Sequence, residues 1–357
     1  MTNNIIKISL TATKNRFKKY LSVVDEYYLQ IFASNKYLSA IYYLLFNGSF
    51  YREHFSVLKG RKRYYESLSN IKESSALLRR NIHRLEKGLV MRPRREIFAE
   101  KYIQETVNCY ERCRLASTID DDEMKWAQDV ISEYMDVVMN TSSDVINNAR
   151  ERFLSLNHND LDSHNNYIPY EMSKRVKSRV NEIDLLNLFK QRRSVRWYKD
   201  KKVPLELIQK AISMASYAPS ACNRQPYMFH IITDPLKARE TASIAMGTVG
   251  FSNNINALVV ILGDLSLYPS ERDRHVIYID SSLAAMQLML ALEVLGLSTC
   301  PINWPGIEKL EKKMDRRLKL PNHIRPILLL SVGYGDPTGK IPYSQKKSSE
   351  VLTWNVE

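Results

Sequence analysis

Two short stretches decide the fold of this chain: Arg192-Arg193-Ser194-Val195-Arg196 and, about two dozen residues later, Ala218-Pro219-Ser220-Ala221-Cys222-Asn223-Arg224-Gln225-Pro226. The first places three guanidinium groups and a hydroxyl within five residues, which suits charge-assisted, bidentate contacts to a phosphate. The second is a proline-bounded polar loop, and its small residues allow backbone amides to approach a ligand closely. Together they predict a site for a phosphate-bearing ligand.

Two further segments extend the pattern. Cys300-Pro301-Ile302-Asn303-Trp304 follows a helix stop at Gly296, and the basic pair Lys346-Lys347 follows a strand that ends in Gly333-Tyr334-Gly335. Taken alone, each segment has a plainer interpretation as a helix end, a turn or a loop. Their order and spacing favour the functional interpretation.

Helices and strands alternate around these segments. The predicted strands are residues 227–233, 257–263 and 327–332, and the second is so apolar that it must be buried on both faces. Helices are predicted at 185–191, 205–217 and 277–295, the last rich in Ala, Leu and Met. The pattern predicts an α+β or three-layer domain.

The first 155 residues are predicted to be helical, at 23–46, 67–87, 97–115 and 123–139. The last of these begins behind three aspartates, where carboxylates favour a helix N-terminus. Residues 157–170 are polar and contain Pro169, which is typical of a linker. The predicted organisation is a helical domain at 1–156, a linker at 157–182 and a second domain at 183–357.

Composition narrows the class of protein. An apolar fraction of 44% in 357 residues supports a globular protein with a sizeable core. No apolar run approaches the length of a membrane span, no secretory signal is evident, and four cysteines make no disulfide framework. Cys109 and Cys113 lie one helical turn apart without a histidine pair, so core packing is expected rather than a metal site. These features predict a soluble, cytoplasmic protein.

The net charge of +13 is unevenly distributed, with twelve Lys or Arg against three Glu in residues 59–95. Such a segment can contact an anionic ligand, nucleic acid or an anionic membrane, or it can be a solvated helix face. No nucleic-acid-binding motif accompanies it, so nucleic acid is the less favoured partner. The stretch from His83 to Arg95 is either a helix end whose cations suit the helix dipole or an anion-binding surface over the ligand site, for a phosphorylated or nucleotide-linked small-molecule substrate.

The order of the four segments resembles the nitroreductase family. In that family an Arg-Arg-Ser-x-Arg element precedes an Ala-Pro-Ser-x-x-Asn-x-Gln-Pro loop, a long apolar helix ending in Leu-Gly, a short Pro-containing loop, and a basic residue before a Glu-x-Val tail. The resemblance covers about half the chain and implies an FMN-dependent oxidoreductase, with NAD(P)H as an electron donor. The implied fold is a three-layer α/β/α sandwich, here preceded by an all-helical N-terminal domain. The implied assembly is an intertwined homodimer.

The resemblance also implies roles for residues of the first segment and the tail. Arg192 and Ser194 would hold the FMN phosphate, with Arg193 in the same cofactor-binding set and Lys346 completing the clamp. Arg196 would lie near the pyrimidine edge of the flavin. The family usually has Arg where Lys346 stands, and Lys cannot grip a phosphate as a fork.

The other two segments would contact the flavin ring. One group would approach from the second subunit: Pro219, Ser220, Ala221 and Asn223. Pro301 and Ile302 would pack on one ring face, and the Asn303 backbone amide would point at N5. Trp304 departs from the family pattern and would narrow the substrate side.

The sequence contains no serine–histidine–acid arrangement and no metal-ligand spacing, so no catalytic acid, base or metal is assigned. The cofactor would carry the chemistry while the protein binds and orients it. The alternative from another class is a flavin-free basic protein that uses the fold as a scaffold for nucleic acid or membrane association.

Overall fold

A computed structural model describes residues 28–69, 75–116, 119–156 and 167–354. It divides into two compact units, and the smaller one contains the chain up to Phe55 together with Gly306–Glu308. In that unit, helix α1 (Lys36–Ile41) begins at Asn35, whose side chain accepts from the Tyr37 and Leu38 amides. Residues 23–27 of the predicted 23–46 helix lie outside the described ranges, and the described part is interrupted at residues 33–35.

The larger unit, Ser56–Pro305 and Lys309–Glu357, contains a helical core of its own. The helices of this region are α2 (Tyr51–Ser69), α3 (Ala76–Leu89), α4 (Ile103–Ala116), α5 (Asp121–Val137) and α6 (Asp144–Leu154). An apolar core forms between α3, α4, α5 and α6 from fully buried residues such as Ile82, Val107 and Ile131. The helical nature of this region is therefore confirmed.

The helix bounds differ from the predicted ones where tertiary contacts intervene. Helix α5 starts behind Asp120 as predicted, because that carboxylate accepts from the Asp122 and Glu123 amides. Helix α4 begins six residues after the predicted start at residue 97, because residues 97–102 form irregular structure. There the Phe98 carbonyl accepts from the Tyr134 hydroxyl at 2.7 Å, a contact between distant residues that local periodicity does not reveal.

The second half of the chain forms a four-stranded antiparallel sheet in the order β1-β2-β4-β3. The strands are β1 (Tyr227–Ile232), β2 (Ala257–Asp264), β3 (Ser298–Asn303) and β4 (Ile324–Gly333). β2 and β4 are buried along almost their whole length, as the apolar sequence of β2 predicts. The sequence predicts three of these strands. It does not predict β3, because Pro301 interrupts the strand pattern of the sequence there. Proline is tolerated there because β3 is a terminal strand of the sheet.

Helices cover both faces of the sheet. On one face, alternate β2 residues such as Val259 and Ile261 pack with α8 (Leu205–Ala215) and α10 (Val276–Val294). On the other face, the intervening residues Leu258 and Val260 pack with α9 (Pro235–Ala242) and α11 (Glu308–Leu318). Because strand side chains alternate between faces, β2 supplies both cores. The predicted three-layer α/β/α sandwich is confirmed.

Two helices keep apolar surface in the single chain. Helix α7 (Glu182–Gln191) has no buried residue, although Ile183, Leu186 and Phe189 are on it. By length and composition, one helix in the described ranges, Glu271–Val294, could cross a membrane, and half of its apolar window is buried inside the protein. A core helix of a soluble protein has the same properties. Asp280 interrupts its sequence, so no unbroken apolar run of that length occurs.

Candidate functional site

The arginine segment runs along the edge of strand β3. Helix α7 ends at Arg192, whose backbone is extended, and Ser194 then pairs in parallel with Thr299 of β3. The Val195 amide donates to the Thr299 carbonyl at 2.9 Å. The terminal strand of the sheet therefore places the predicted phosphate-binding segment beside the predicted ring-contacting segment.

Arg192, Ser194 and Arg196 lie close to the Cys300 thiol. Burial raises the pKa of the Cys300 thiol, and the charges of Arg196 and Arg192 and a hydrogen bond with Ser194 act in the opposite direction. Two guanidinium groups and a hydroxyl are thus gathered at one end of β3. That is the grouping the sequence predicts for an anionic ligand.

The Arg192 side chain has unused hydrogen-bonding capacity. Its Nε is buried, and in the described part of the chain it has no hydrogen-bond partner. Glu293 of α10 is near enough for the Arg192 charge to lower the pKa of its carboxyl, against a larger increase from burial. A buried donor without a partner costs free energy, so this nitrogen suits an anionic acceptor from a ligand.

Arg193 faces a different partner. Its guanidinium donates to the carbonyl of Pro342 at 2.9 Å and to that of Tyr343. Arg193 therefore holds the C-terminal tail through two backbone carbonyls. Lys346 is exposed on the same tail, and its role beside Arg192 stays a prediction.

The loop after α8 has an unusual backbone. Three of its non-glycine residues have positive φ: Cys222 at 54°, Asn223 at 50° and Gln225 at 49°. Such residues are uncommon and need surrounding contacts to hold them. Within the loop, the Gln225 amide donates to Ser220 Oγ at 3.1 Å. The loop is therefore a shaped element rather than a plain turn.

Asp280 of α10 holds this loop by a hydrogen bond, and it is not among the site residues predicted from the sequence. Its carboxylate accepts from the Ala221 amide at 2.9 Å, although the residue is only 3% exposed. Burial raises the pKa of the Asp280 carboxyl, opposed by that hydrogen bond and by the charge of Arg224. A carboxylate in the first half of an apolar helix, where most neighbours are hydrophobic, is the sequence signal that could have identified it.

Arg224 and Tyr268 form a polar cluster next to Asp280. The Arg224 guanidinium lies 5.0 Å from the centre of the Tyr268 ring. Among the described residues, neither Arg224 Nε nor the Tyr268 hydroxyl has a hydrogen-bond partner, and both are buried. These two groups therefore have unused hydrogen-bonding capacity near the loop.

The predicted ring-contacting residues lie on β3. Pro301 is partly exposed and Asn303 is exposed, whereas the Ile302 side chain is only 2% exposed and packs in the core beneath α9 and α11. Trp304 packs in that core as well, so its ring does not stand at the open surface where it would narrow a substrate site. A flavin contact by Ile302 stays a prediction.

The arginines of residues 59–95 do not gather at one place in the structure. Arg79 contacts the loop directly, through the Asn223 carbonyl at 3.0 Å. Arg94 and Arg95 instead line a pocket of about 530 Å³ at the far end of α5. Along α5, the distance from Glu123, which pairs with Arg79, to Val137, which lines the pocket, is about 21 Å. Within one chain, the pocket and the loop are separate.

Comparisons with known proteins identify the second half of the chain. The profile of the nitroreductase family matches residues 189–254 and 246–334. The chain is 30% identical over 179 residues to an iodotyrosine deiodinase of Thermotoga neapolitana. This match covers 45% of this chain and 94% of that protein.

Two further relatives have names from the same area of chemistry. One, from Methanothermobacter thermautotrophicus, is named as a candidate NADH dehydrogenase/NAD(P)H nitroreductase. It is 28% identical over 168 residues, which are 46% of this chain and 84% of that protein. The other, from Bacillus subtilis, is named FMN reductase (NADPH). It is 28% identical over 172 residues, or 44% of this chain and 68% of that protein.

The residues matched by the family profile include the arginine segment, the loop from Ala218 to Pro226 and the four strands. The relative from Thermotoga neapolitana is matched over nearly its whole length at 30% identity. The antiparallel sheet covered by helices on both faces agrees with the fold that the resemblance implies. The chain belongs to the nitroreductase family of oxidoreductases.

Proposed function

We propose that the protein is an FMN-dependent oxidoreductase that works as a cytoplasmic homodimer and takes electrons from NAD(P)H. The observation that carries the proposal is the buried, unpartnered Nε of Arg192 beside Ser194 and Arg196 at the edge of β3. The names of two relatives, FMN reductase (NADPH) and NADH dehydrogenase/NAD(P)H nitroreductase, support the same cofactors.

The residues present fit a flavin mononucleotide. Arg192 and Ser194 would hold the phosphate, and the buried Nε of the half-buried Arg192 would interact with an anion more strongly than it would in water, because the local dielectric constant is lower. Arg196 would supply positive charge near the pyrimidine edge of the ring. When bound, the flavin supplies hydride transfer through its N5 atom.

The protein's own residues would bind and orient the reactants. The loop from Pro219 to Asn223 would present its backbone at the ring, and Asp280 keeps the Ala221 amide in place. Pro301 and Asn303 would lie along the ring from β3. In this scheme the protein controls access and geometry while the cofactor carries the electrons.

The state of the cysteines agrees with a reducing compartment. All four, Cys109, Cys113, Cys222 and Cys300, are free thiols in the structure. Disulfides are rare in the cytosol, where thiols are kept reduced. This supports the cytoplasmic location that we propose.

The substrate that we propose is a small molecule with negative charge. The support is the excess of basic residues in 59–95, of which Arg79 on α3 contacts the proposed cofactor loop. A substrate carrying a phosphate or a linked nucleotide would meet that charge favourably. Since Arg94 and Arg95 line a pocket at the far end of α5, arginines closer to the loop are the better candidates for substrate contact.

Colour tests the cofactor directly. The purified protein should be yellow, and denaturation should release a flavin whose absorbance and fluorescence identify FMN. Colourless protein should regain the flavin spectrum when FMN is added. A protein that is colourless and does not quench the fluorescence of added FMN would contradict the proposal and favour a flavin-free binding protein.

A further inference from the structure

Arg79 of α3 connects the helical region to the loop proposed to hold the flavin. Its Nε donates to the Asn223 carbonyl and its Nη2 donates to Gln225 Oε1, each at 3.0 Å. Asn223 and Gln225 are two of the three loop residues with positive φ. Arg79 therefore bonds to the part of the loop whose backbone is least favourable by itself.

The Arg79 side chain is itself held from behind. Its Nη1 donates to Glu123 Oε2 of α5 at 2.7 Å, and its guanidinium lies 5.4 Å from the centre of the Trp126 ring. The Trp126 indole in turn donates to Glu86 Oε1 at 3.0 Å. The Arg79 and Glu123 side chains are mostly buried, so this pair is less screened by water than a surface ion pair.

The loop needs such an external contact. Each non-glycine residue in the left-handed region costs free energy, and it persists only when surrounding contacts over-determine it. Asp280 and Ser220 fix the amides of Ala221 and Gln225. The Gln225 side chain also donates to the Ser216 carbonyl at 3.2 Å. Arg79, which lies outside the residues that match the family profile, donates to the Asn223 carbonyl and to the Gln225 side-chain oxygen.

We propose that Arg79 is a positioning residue for the flavin site. It holds the loop Ala221–Asn223 and the following Gln225 in the conformation that faces the cofactor, so the helical region completes a site that the nitroreductase-like domain does not complete alone. The proposal rests on the proposed function, because FMN is the ligand that the loop would serve.

The first test measures the loop without any flavin. Hydrogen–deuterium exchange of residues 219–226 should be at least about tenfold faster in Arg79→Met than in the wild type, because the loop loses two charged hydrogen bonds. The matched control is Arg84→Met on the same helix, where the guanidinium stacks 3.6 Å from the Tyr102 ring. That control should leave exchange in the loop unchanged.

The second test measures the cofactor site in the full chain. FMN affinity, from fluorescence quenching of added FMN, should fall about tenfold in Arg79→Met, and the absorbance band of the bound flavin should change shape. Arg79→Lys keeps the charge but not the fork, so its affinity should be intermediate. Glu123→Gln should shift affinity in the same direction, because it removes the group that orients Arg79.

The outcomes separate this inference from the proposed function. Faster loop exchange in a protein that binds no FMN would support the positioning role and contradict the flavin. Unchanged loop exchange, together with wild-type affinity and spectrum in Arg79→Met, would overturn the positioning role even if the flavin binds. If Arg79→Met does not fold, Arg79→Lys and Glu123→Gln decide the question by the same two measurements.

Discussion

At the scale of single residues, three polar groups in or beside the candidate site segments are buried without hydrogen-bond partners among the described residues. Arg192 Nε, Arg224 Nε and the Tyr268 hydroxyl are buried and, in the described ranges, lack hydrogen-bond partners. Leaving a buried donor unpaired costs about 1–3 kcal/mol. A ligand that supplies an acceptor to one of these groups offsets that cost.

Replacing Arg192 by Ala should weaken FMN binding by about 1.5–3 kcal/mol, or about ten- to a hundredfold, because a charged hydrogen bond to the phosphate is lost. Flavin content after extensive dialysis and a fluorescence titration measure this. The control is Lys190→Ala, which removes an exposed positive charge from the preceding helix. Full flavin occupancy in Arg192→Ala would show that the phosphate is bound elsewhere.

Asp280 should make the stability depend on pH. Burial raises the pKa of its carboxyl above the ordinary value of 3.8, so the protonated form is favoured in the folded state. Its contribution is therefore full below the ordinary pKa and is lost as the pH rises through the raised pKa. Asp280→Asn cannot ionise but can still accept from the Ala221 amide.

The free energy of unfolding of Asp280→Asn should therefore improve relative to the wild type as the pH rises from about 4 to about 7. Urea unfolding at a series of pH values measures the difference. A constant difference across this range would show that Asp280 has the same pKa in the folded and unfolded states.

At the scale of elements, close backbone approach fixes where α2 lies against the sheet domain. A Cβ on Gly60 would be 2.6 Å from Leu265 Cβ and 2.8 Å from the Leu265 carbonyl oxygen. Both residues belong to the larger unit. The contact involves backbone atoms, which cannot turn away as a flexible side chain can.

Gly60→Ala should accordingly destabilise the protein, even though alanine favours helix over glycine by about 1 kcal/mol. Overpacking costs about 1–3 kcal/mol, so the net loss should be up to about 2 kcal/mol in the free energy of unfolding. Chemical denaturation measures it, with the exposed Leu58→Ala on the same helix as the control. A gain in stability would mean that α2 can move away from Leu265.

At the scale of the whole molecule, α10 and α7 expose apolar side chains that the proposed homodimer would cover. Ile279, Leu283 and Met286 are exposed on α10 at helical spacing, and α7 has no buried residue. A contiguous apolar surface of this kind marks an interaction site. The homodimer implied by the family resemblance would cover it.

Leu283→Glu should therefore convert the dimer to monomer and lower its flavin content, because a charge would be buried at the interface and the loop would no longer reach the partner's flavin. Light scattering and flavin absorbance measure both effects. Leu236→Glu makes the same change on the exposed face of α9 and should leave the dimer intact. A wild-type monomer that retains flavin would contradict this assembly.

The sequence by itself determined the sandwich domain, because its strands and helices follow local patterns, while the site residues that it predicts stay predictions. The arginine segment, the proline-bounded loop and the apolar periods of β2, β4 and α10 are all short-range patterns. The domain bounds at 1–156, 157–182 and 183–357 stay a prediction. Two places depart from local sequence patterns because distant partners hold them. The irregular residues before α4 bond to Tyr134, and the strand through Pro301 pairs with β4.

Only the tertiary structure decided which charges act on the loop. Twelve basic residues in 59–95 are equivalent in sequence, yet Arg79 reaches Asn223 across 144 positions of the chain, while Arg94 and Arg95 line a pocket at the far end of α5. The same holds for Asp280, whose partner Ala221 is 59 positions away. Hydrogen bonds act over about 3 Å, and which residues come that close depends on how the helices pack, which local sequence patterns do not reveal.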